Sequence, residues 1–415
     1  MSEPAASATP AQAPAAPRLS ILVPTWNAES TVERALDSVL AEHAIPLELI
    51  VVDDASTDGT ADIAAAVAER DPRVVLVRLR ANGGVSAARN RALAMVRGEW
   101  VAFLDADDLL LPGALEALMG PTRDPAVRVV IGQRIQNDGE RRWISKGYDN
   151  ADVRLPGRKS IATHPGLMYY AAIHGKVFDR SLLRGLEFEG RVLGDQPWTI
   201  RALLRAGDGI EVIDQTVYEW TLPHPDRWVA TITSTSKSSA AKGAEMVGMA
   251  PVVFRSVSDE IDLAVPDTSA RQAIKRAYFE RLIRSDVSVA VRNALVRRDP
   301  GTARLLTAIG AFLESVPGEI VATSDALVRL VLLPPATHWD ALVRSARPSY
   351  WAMLALAVRA DRGNSQRGRR WWAVRALVAV EHIPPPIGPS LASAILSMVT
   401  RGRRVIVWLR RSDRR

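Results

Sequence analysis

Three closely spaced carboxylates follow an apolar run near residue 100. Residues 101–104 are all apolar and lead directly into Asp105, and Asp107 and Asp108 follow. Such a run predicts a strand buried on both faces of a parallel sheet, and ligands bind at the carboxyl ends of such strands. Crowded carboxylates repel each other unless a cation lies beside them, and Mg²⁺ prefers carboxylates together with phosphate oxygens. The pattern therefore predicts a site for a divalent cation and a diphosphate, with a helix cap or a solvated turn as the alternative.

The elements that would position these carboxylates alternate between strand and helix patterns. Strands are predicted at 19–24, 47–54, 74–79 and 100–108, and helices begin near residues 31, 61 and 85. This alternation with short links predicts βαβ units and an α/β fold with a mostly parallel, doubly wound sheet. A further strand is predicted at 127–133, a helix at 198–205 and an edge strand at 216–220. No Gly-x-Gly-x-x-Gly follows the first strand, which argues against a dinucleotide-binding fold.

Length and composition limit the class of protein. A chain of 415 residues predicts two or more domains, and the absence of Cys excludes disulfides, thiolate metal sites and a thiol nucleophile. Residues 1–17 are rich in Ala and Pro and are expected to be a disordered tail rather than a signal peptide. No run reaches the roughly 20 apolar residues of a membrane-spanning helix. The expected location is therefore cytoplasmic.

Charge is unevenly distributed along the chain. Residues 241–415 contain 27 Lys and Arg against 15 Asp and Glu, a net charge of +12, which leaves −5 for the first 240 residues. Residues 401–415 combine seven Arg with apolar residues that include Trp408. This basic amphipathic tail can lie on an anionic membrane surface at the inner face of the membrane. A helix packed on the rest of the protein is the alternative.

Four motifs occur in one order and together carry a resemblance. They are Pro24-Thr-Trp-Asn27, Val52-Asp-Asp-Ala-Ser-Thr-Asp-Gly-Thr60, Asn82-Gly-Gly-Val-Ser-Ala-Ala-Arg-Asn90 and Leu104-Asp-Ala-Asp-Asp108. In this order and spacing they resemble the nucleotide-sugar-binding half of the family 2 inverting glycosyltransferases, which have a GT-A fold. The resemblance covers about residues 18–235. It implies an inverting sugar transfer with Mg²⁺ or Mn²⁺ as cofactor.

The resemblance also implies roles for individual residues. Trp26 would stack on the nucleobase, and Asp54 would accept a hydrogen bond from the base, typically uracil. Arg89 would reach the nucleotide or its diphosphate, Asp105 would hold the ribose or the sugar, and Asp107 would hold the metal. The implied donor-binding set is Pro24, Trp26, Asn27, Asp54, Asn82, Gly84, Arg89 and Asp105. Ordinary packing of Trp26 is an alternative, Asp53 is expected to be structural, and Asp108 is either a second carboxylate behind the metal ligand or a helix cap.

The acceptor and the catalytic base are expected within residues 127–220. The pair Gly194-Asp195 resembles the family's Glu-Asp dipeptide, whose Asp is the catalytic base, although the Glu is replaced by Gly here. Asp195 is therefore the predicted base, and an N-cap of the following helix is the alternative. Lys176 is predicted to contact an acceptor anion or the diphosphate, or to be a surface lysine. His224 can close on metal or phosphate, or it is a solvated side chain.

The leading interpretation is a metal-dependent transferase that moves a sugar from a nucleotide-diphosphate donor, expected to be a UDP-sugar, to a hydroxyl acceptor. The acceptor would be a glycan, a polyol phosphate or a lipid-linked sugar of cell-surface polysaccharide, teichoic-acid-like or glycolipid synthesis. The alternatives are a nucleotidyltransferase and a non-catalytic protein that binds anionic glycans, and a nucleic-acid partner is not expected. The predicted domains are a GT-A domain at 18–238, a helical domain at 239–400 and the basic tail at 401–415.

Overall fold

The structure is a computed structural model that describes residues 16–144, 150–190, 194–222, 240–287, 290 and 301–323. The chain divides into two compact units, Met1–Val229 and Ala230–Arg415. Each unit is described separately below. The domain boundary at residue 238 stays a prediction.

The first unit is built on one sheet with helices between its early strands. Its strands are β1 (Leu19–Thr25), β2 (Leu47–Asp53), β3 (Val74–Arg78), β4 (Trp100–Phe103), β5 (Leu109–Leu110), β6 (Val129–Asn137), β7 (Arg142–Trp143), β8 (Gly157–Lys159), β9 (Lys176–Asp179) and β10 (Ile210–Thr221). Its helices are α1 (Val32–Leu40), α2 (Thr60–Arg70), α3 (Val85–Leu93), α4 (Ala114–Met119), α5 (Ala151–Arg154) and α6 (Asp195–Ala206). The predicted α/β fold with a mostly parallel sheet is confirmed.

The strand order explains why the polar loops meet at one edge. It is β3-β2-β1-β4-β9-β6-β10-β5, with β7 beside β6 and β8 beside β10. Strands β1 to β4 are mutually parallel where they pair, so the residues that follow β1, β2 and β4 emerge at the same edge. The short strand β9 runs antiparallel between β4 and β6. The segment predicted as an edge strand at 216–220 belongs to β10, which is flanked by β6 and β5, so that prediction is wrong.

A buried carboxylate ties the opposite edge of the sheet together. Glu48 is 3% exposed and accepts hydrogen bonds from Ser20 Oγ and from the main-chain N–H and Nε of Arg97, the latter two at 2.7 Å. Ser20 Oγ in turn accepts the Gly98 N–H at 2.9 Å. Burial alone would raise the pKa of Glu48, but these donors lower it below its ordinary value of 4.5. The carboxylate therefore joins β1 and β2 to the turn before β4.

Glu48→Gln should lower the free energy of unfolding at pH 7 by about 1–3 kcal/mol, because buried donors lose a charged acceptor. The pKa of Glu48 is lower in the folded than in the unfolded state, so ionised Glu48 stabilises the fold above pH 4.5. This stabilisation is lost as the pH falls through the folded-state pKa. The difference from wild type should shrink in the same range. Urea unfolding at pH 7 and at low pH measures it, with the exposed Glu99→Gln as control. A difference that does not change with pH would contradict this role.

The second unit is helical within its described residues. Its elements are α7 (Ala240–Ala264), α8 (Thr268–Arg281), a π-helical turn (Leu282–Val287), α9 (Thr302–Ser315) and α10 (Gly318–Thr323). The aromatic rings of Phe254, Tyr278, Phe279 and Phe312 pack together, with the Phe254 and Tyr278 rings stacked at 6.1 Å. The helical prediction for this region is confirmed where the structure describes it. Among the described helices none is both long and apolar enough to cross a membrane.

Candidate active site

The loops after β1 and β2 are hydrogen-bonded to each other. Asn27 adopts a left-handed backbone conformation with φ 47°, its N–H donates to Ser56 Oγ at 3.0 Å, and its Oδ1 accepts the Thr57 N–H at 2.9 Å. Trp26, beside this fixed turn, is 41% exposed, which excludes ordinary core packing. Pro24 is buried within β1 opposite Val52. The structure therefore leaves the indole of Trp26 accessible for stacking and uses Asn27 to fix the loop.

Asp54 organises the start of helix α3. Its two carboxylate oxygens accept the N–H groups of Gly83 at 2.8 Å and Gly84 at 2.7 Å, and Asn82 Nδ2 donates to its main-chain carbonyl at 3.2 Å. Gly84 has φ 87°, a conformation that favours glycine at this N-cap. Asp54 is buried, and the carboxylate already has two donors in this structure. Its predicted contact with a nucleobase would use the remaining lone pairs.

Neighbouring Asp53 is structural, as expected. Its carboxylate accepts the Ser56 N–H at 3.2 Å and the Ser56 hydroxyl, and it lies within 3.5 Å of Thr25 Oγ1. The side chain is buried at the end of β2. Asp53 therefore shapes the loop that contacts Asn27.

Arg89 and His174 hold Asp105 from two sides. Arg89 Nη2 donates to Asp105 Oδ1 at 2.8 Å, and His174 Nε2 lies 2.8 Å from Asp105 Oδ2. Burial would raise the pKa of Asp105, but the charges of His174 and Arg89 lower it well below its usual range. The antiparallel register of β4 and β9, continued by three residues beyond Ala102 and Val177, brings His174 opposite Asp105. The carboxylate is therefore kept ionised.

The two following carboxylates differ in their surroundings. Asp108 is buried and accepts hydrogen bonds from the Tyr218 hydroxyl at 2.7 Å and from the Thr221 N–H at 2.8 Å. It therefore links the turn at residues 105–108 to β10. It does not cap helix α4, whose N-cap is Gly113. Asp107 accepts no hydrogen bond from another residue among those described. Burial and then the negative charge of Asp105 raise the pKa of Asp107 to about 7.

The acidic group fits a divalent cation. One ligand atom from each of Asp105, Asp108 and His174 lies within 4.8 Å of the others. Carboxylate oxygens are the preferred ligands of Mg²⁺ and Mn²⁺, and Mn²⁺ also accepts imidazole nitrogen. Asp105, Asp108 and His174 can therefore hold a divalent ion. Asp107 lies beside this group, and the charge of Arg34 only partly offsets the rise in its pKa. The predicted ligand Asp107 is not in this group, and its role as metal ligand stays a prediction.

Lys176 is the first residue of β9 and is 1% exposed, which excludes the surface-lysine alternative. Its Nζ donates to the Ala172 carbonyl at 2.6 Å and lies 3.3 Å from the centre of the Tyr170 ring. Burial and then the charge of Arg134 lower its pKa well below the ordinary value, and the negative charge of Asp195 acts in the opposite direction. Lys176 therefore fixes the chain beside His174 and lies near Asp195. Its predicted contact with an anion stays a prediction.

Asp195 is the first residue of helix α6, and Gly194 is the N-cap. The N-cap alternative for Asp195 is therefore wrong. The helix begins three residues earlier than the sequence predicts, because Asp195, Gln196 and Pro197 form its first turn. No other described residue donates a hydrogen bond to the Asp195 carboxylate, so its oxygens are available for a ligand. Its role as base stays a prediction, and His224 lies outside the described residues.

Two residues of this site were not singled out by the sequence. His174 lies two residues before Lys176, the residue that the sequence singled out in that segment, and Tyr218 lies in the strand predicted at 216–220. Tyr218 Oη donates to Asp108 and accepts the Asp105 N–H at 3.3 Å, and its ring lies 5.1 Å from the His174 ring. Burial and the charges of Asp108 and Asp105 raise the pKa of Tyr218 well above its ordinary value, so the phenol remains a donor. The sequence feature that could have identified Tyr218 is a ring with a polar hydroxyl near the end of a buried strand.

Two curated proteins are similar to part of this chain. The succinoglycan biosynthesis protein ExoO of Rhizobium meliloti is 29% identical over 197 residues, which are 46% of this chain and 53% of that protein. The GalNAc(5)-diNAcBac-PP-undecaprenol beta-1,3-glucosyltransferase of Campylobacter jejuni is 30% identical over 182 residues, 43% of this chain and 57% of that protein. The chain spans about half the length of the curated relatives it matches.

A solved structure and a family model extend the comparison. The crystal structure of Staphylococcus aureus TarS 1-349 in complex with UDP-GlcNAc is 20% identical and has a TM-score of 0.63, covering 85% of this chain and 93% of that one. At this identity the likeness supports the fold, which is that of the GT-A glycosyltransferases. The model of Glycosyl transferase family 2 matches residues 20–186, which contain the four sequence motifs at 24–27, 52–60, 82–90 and 104–108. Residues 20–186 therefore carry a family 2 glycosyltransferase domain.

Proposed function

We propose that this protein transfers a sugar, with inversion, from a nucleotide-diphosphate donor, a UDP-sugar, to a hydroxyl acceptor. The observation that carries the proposal is the convergence of Arg89, Asp105, Asp107 and His174 at one edge of the sheet. This group offers a cation-binding set of carboxylates beside an arginine. Arg89 Nη2 donates to Asp105, and a guanidinium group at this position is suited to a phosphate.

The donor would lie across the edge formed by the first, second and fourth strands. Trp26 provides an accessible aromatic face for the base, and Asn27, Asn82 and Gly84 shape the loops around it. Asp105 would hold the ribose or the sugar, while Asp107, with Asp108 and His174, would hold Mg²⁺ or Mn²⁺. A bound divalent ion neutralises the diphosphate that leaves.

The acceptor hydroxyl must lose a proton as it attacks the anomeric carbon. Asp195 is proposed to take that proton, because a carboxylate beside the attacking oxygen acts as general base. Inversion follows when the hydroxyl attacks from the side opposite the departing diphosphate. Lys176 and His224 are proposed contacts of the acceptor or of phosphate.

The acceptor is proposed to be a glycan, a polyol phosphate or a lipid-linked sugar of cell-surface polymer synthesis. The names of the matched relatives, one in succinoglycan biosynthesis and one acting on an undecaprenol-linked glycan, support this class. A peripheral position at the inner face of the membrane, through residues 401–415, is part of the proposal. That tail lies outside the described residues.

A donor panel tests the function. Purified full-length protein is incubated with UDP-, GDP- and dTDP-sugars in the presence of Mg²⁺ or Mn²⁺, and release of the nucleoside diphosphate is measured. We expect metal-dependent hydrolysis of one UDP-sugar above the others, because water replaces the missing acceptor. The matched control is the same assay with EDTA. No hydrolysis and no calorimetric binding of any nucleotide would contradict the proposal.

A further inference from the structure

Helix α3 holds a short segment of chain that precedes helix α6. We call residues 186–190 the linker segment. Asn90 Oδ1 accepts the Phe188 N–H at 2.8 Å, and Asn90 Nδ2 donates to the Phe188 carbonyl at 3.0 Å. Ser86 Oγ donates to the Gly190 carbonyl at 2.6 Å. Three hydrogen bonds from one face of α3 therefore fix the main chain of the linker segment.

The linker segment in turn contacts helix α6 directly. The Phe188 ring stacks on the Trp198 ring with centroids 4.8 Å apart and an angle of 7° between the planes. Glu189 forms an ion pair with Arg201 at 3.1 Å. A Cβ atom at Gly194 would lie 2.4 Å from the Glu189 carbonyl oxygen and 3.0 Å from Ser86 Oγ, so the N-cap of α6 is packed against both. The residue after that N-cap is Asp195.

Helix α3 also reaches the proposed donor side of the site. Its N-terminal Gly84 N–H binds Asp54, and Arg89, adjacent to Asn90, donates to Asp105. The Arg89 guanidinium also lies 5.5 Å from the centre of the Phe188 ring. Helix α3 is therefore in contact with the proposed donor site on one side and with the start of α6 on the other.

We propose that Asn90 and Ser86 are positioning residues that set the Asp195 carboxylate relative to the donor. This inference rests on the proposed function. Transfer requires the base, the acceptor oxygen and the anomeric carbon to be aligned, and a displacement of about 1 Å can cost 10²-fold in rate. A paired amide on a helix fixes both the position and the register of the main chain it binds, so these contacts supply that alignment.

The residue type at position 90 supports a specific role. Asn is a weak helix former in helix interiors because its side chain competes for backbone groups. Here the amide instead binds the main chain of Phe188, 98 residues away. The close packing of Gly194 against the Glu189 carbonyl explains the Gly at position 194, where the resemblance led us to expect Glu. Any side chain there would meet the Glu189 carbonyl.

Three variants test the positioning role in the full-length protein. Asn90→Asp keeps an acceptor for the Phe188 N–H but replaces the amide donor with a carboxylate oxygen, which repels the Phe188 carbonyl oxygen. Ser86→Ala removes the bond to Gly190, and Gly194→Ala disturbs the same contact from the α6 side. We expect kcat for the donor identified in the panel to fall roughly 10- to 100-fold while the Kd for UDP with Mn²⁺ changes less than about 2-fold. The exposed Arg91→Ala on the same helix is the matched control.

Hydrogen exchange gives a readout that does not depend on activity. Amide exchange across residues 186–190 should become faster in Asn90→Asp and stay unchanged in Arg91→Ala. Normal kcat in all three variants, or equal losses of UDP affinity and kcat with general unfolding, would overturn the positioning role. A wild-type protein that neither hydrolyses nor binds any donor would remove the proposed function itself. The exchange result would still show whether Asn90 holds the linker segment.

Discussion

Asp195→Asn should reduce sugar transfer by roughly 10²-fold or more while leaving donor binding intact. Asn has the size and hydrogen-bonding capacity of Asp but cannot take a proton at neutral pH. The effect should be large because the described protein offers Asp195 no hydrogen bond, so its lone pairs are available to the acceptor hydroxyl. Initial rates with saturating donor, together with the Kd for UDP measured by calorimetry, separate the chemical step from binding.

The control for this variant is an aspartate outside the site. Asp208 is exposed after the end of α6, and Asp208→Asn should leave both transfer and UDP binding unchanged. Near-normal turnover in Asp195→Asn would assign Asp195 to the stability of the first turn of α6. In that case its substitution should lower the thermal midpoint instead.

Asp107→Ala should abolish the part of donor affinity that depends on a divalent ion. The diphosphate would lose the cation that neutralises it, which we expect to weaken UDP binding in Mn²⁺ by roughly 10²-fold. Binding measured in EDTA should change little, because the side chain makes no described hydrogen bond that the substitution breaks. Calorimetric titration of UDP in Mn²⁺ and in EDTA, on wild type and variant, gives the four values needed.

Variants of the neighbouring residues test which side chains hold the ion. His174→Gln removes an imidazole nitrogen that lies 2.8 Å from Asp105, and it should weaken Mn²⁺ binding if Asp105, Asp108 and His174 share the ion. Asp108→Asn should also lower thermal stability, because Asp108 accepts the Tyr218 hydroxyl and the Thr221 N–H in the interior. Unchanged metal dependence in Asp107→Ala, together with its loss in His174→Gln, would move the ion away from Asp107.

Local sequence was sufficient for the frame of the site. Apolar runs that end in carboxylates placed Asp54 and Asp105 at the ends of β2 and β4, because buried parallel strands are apolar throughout and their first polar residues emerge at the carboxyl edge. Gly83 and Gly84 marked the beginning of α3 for a similarly local reason, since only glycine takes the φ of 87° found at Gly84 without strain. These features depend on neighbours within a few residues, so the sequence predicted them.

Contacts between distant segments were decided only by the tertiary structure. His174 faces Asp105 because the four-residue strand β9 enters the sheet antiparallel between β4 and β6, a pairing that no local pattern predicts. Asp54 binds the N–H groups of Gly83 and Gly84 because two loops about 30 residues apart meet at one edge. Lys176 is buried although lysine is usually exposed, because in the interior its Nζ donates to the Ala172 carbonyl and lies over the Tyr170 ring. The sequence therefore determined which groups are present at this edge, and the packing of distant strands determined their partners and their charge.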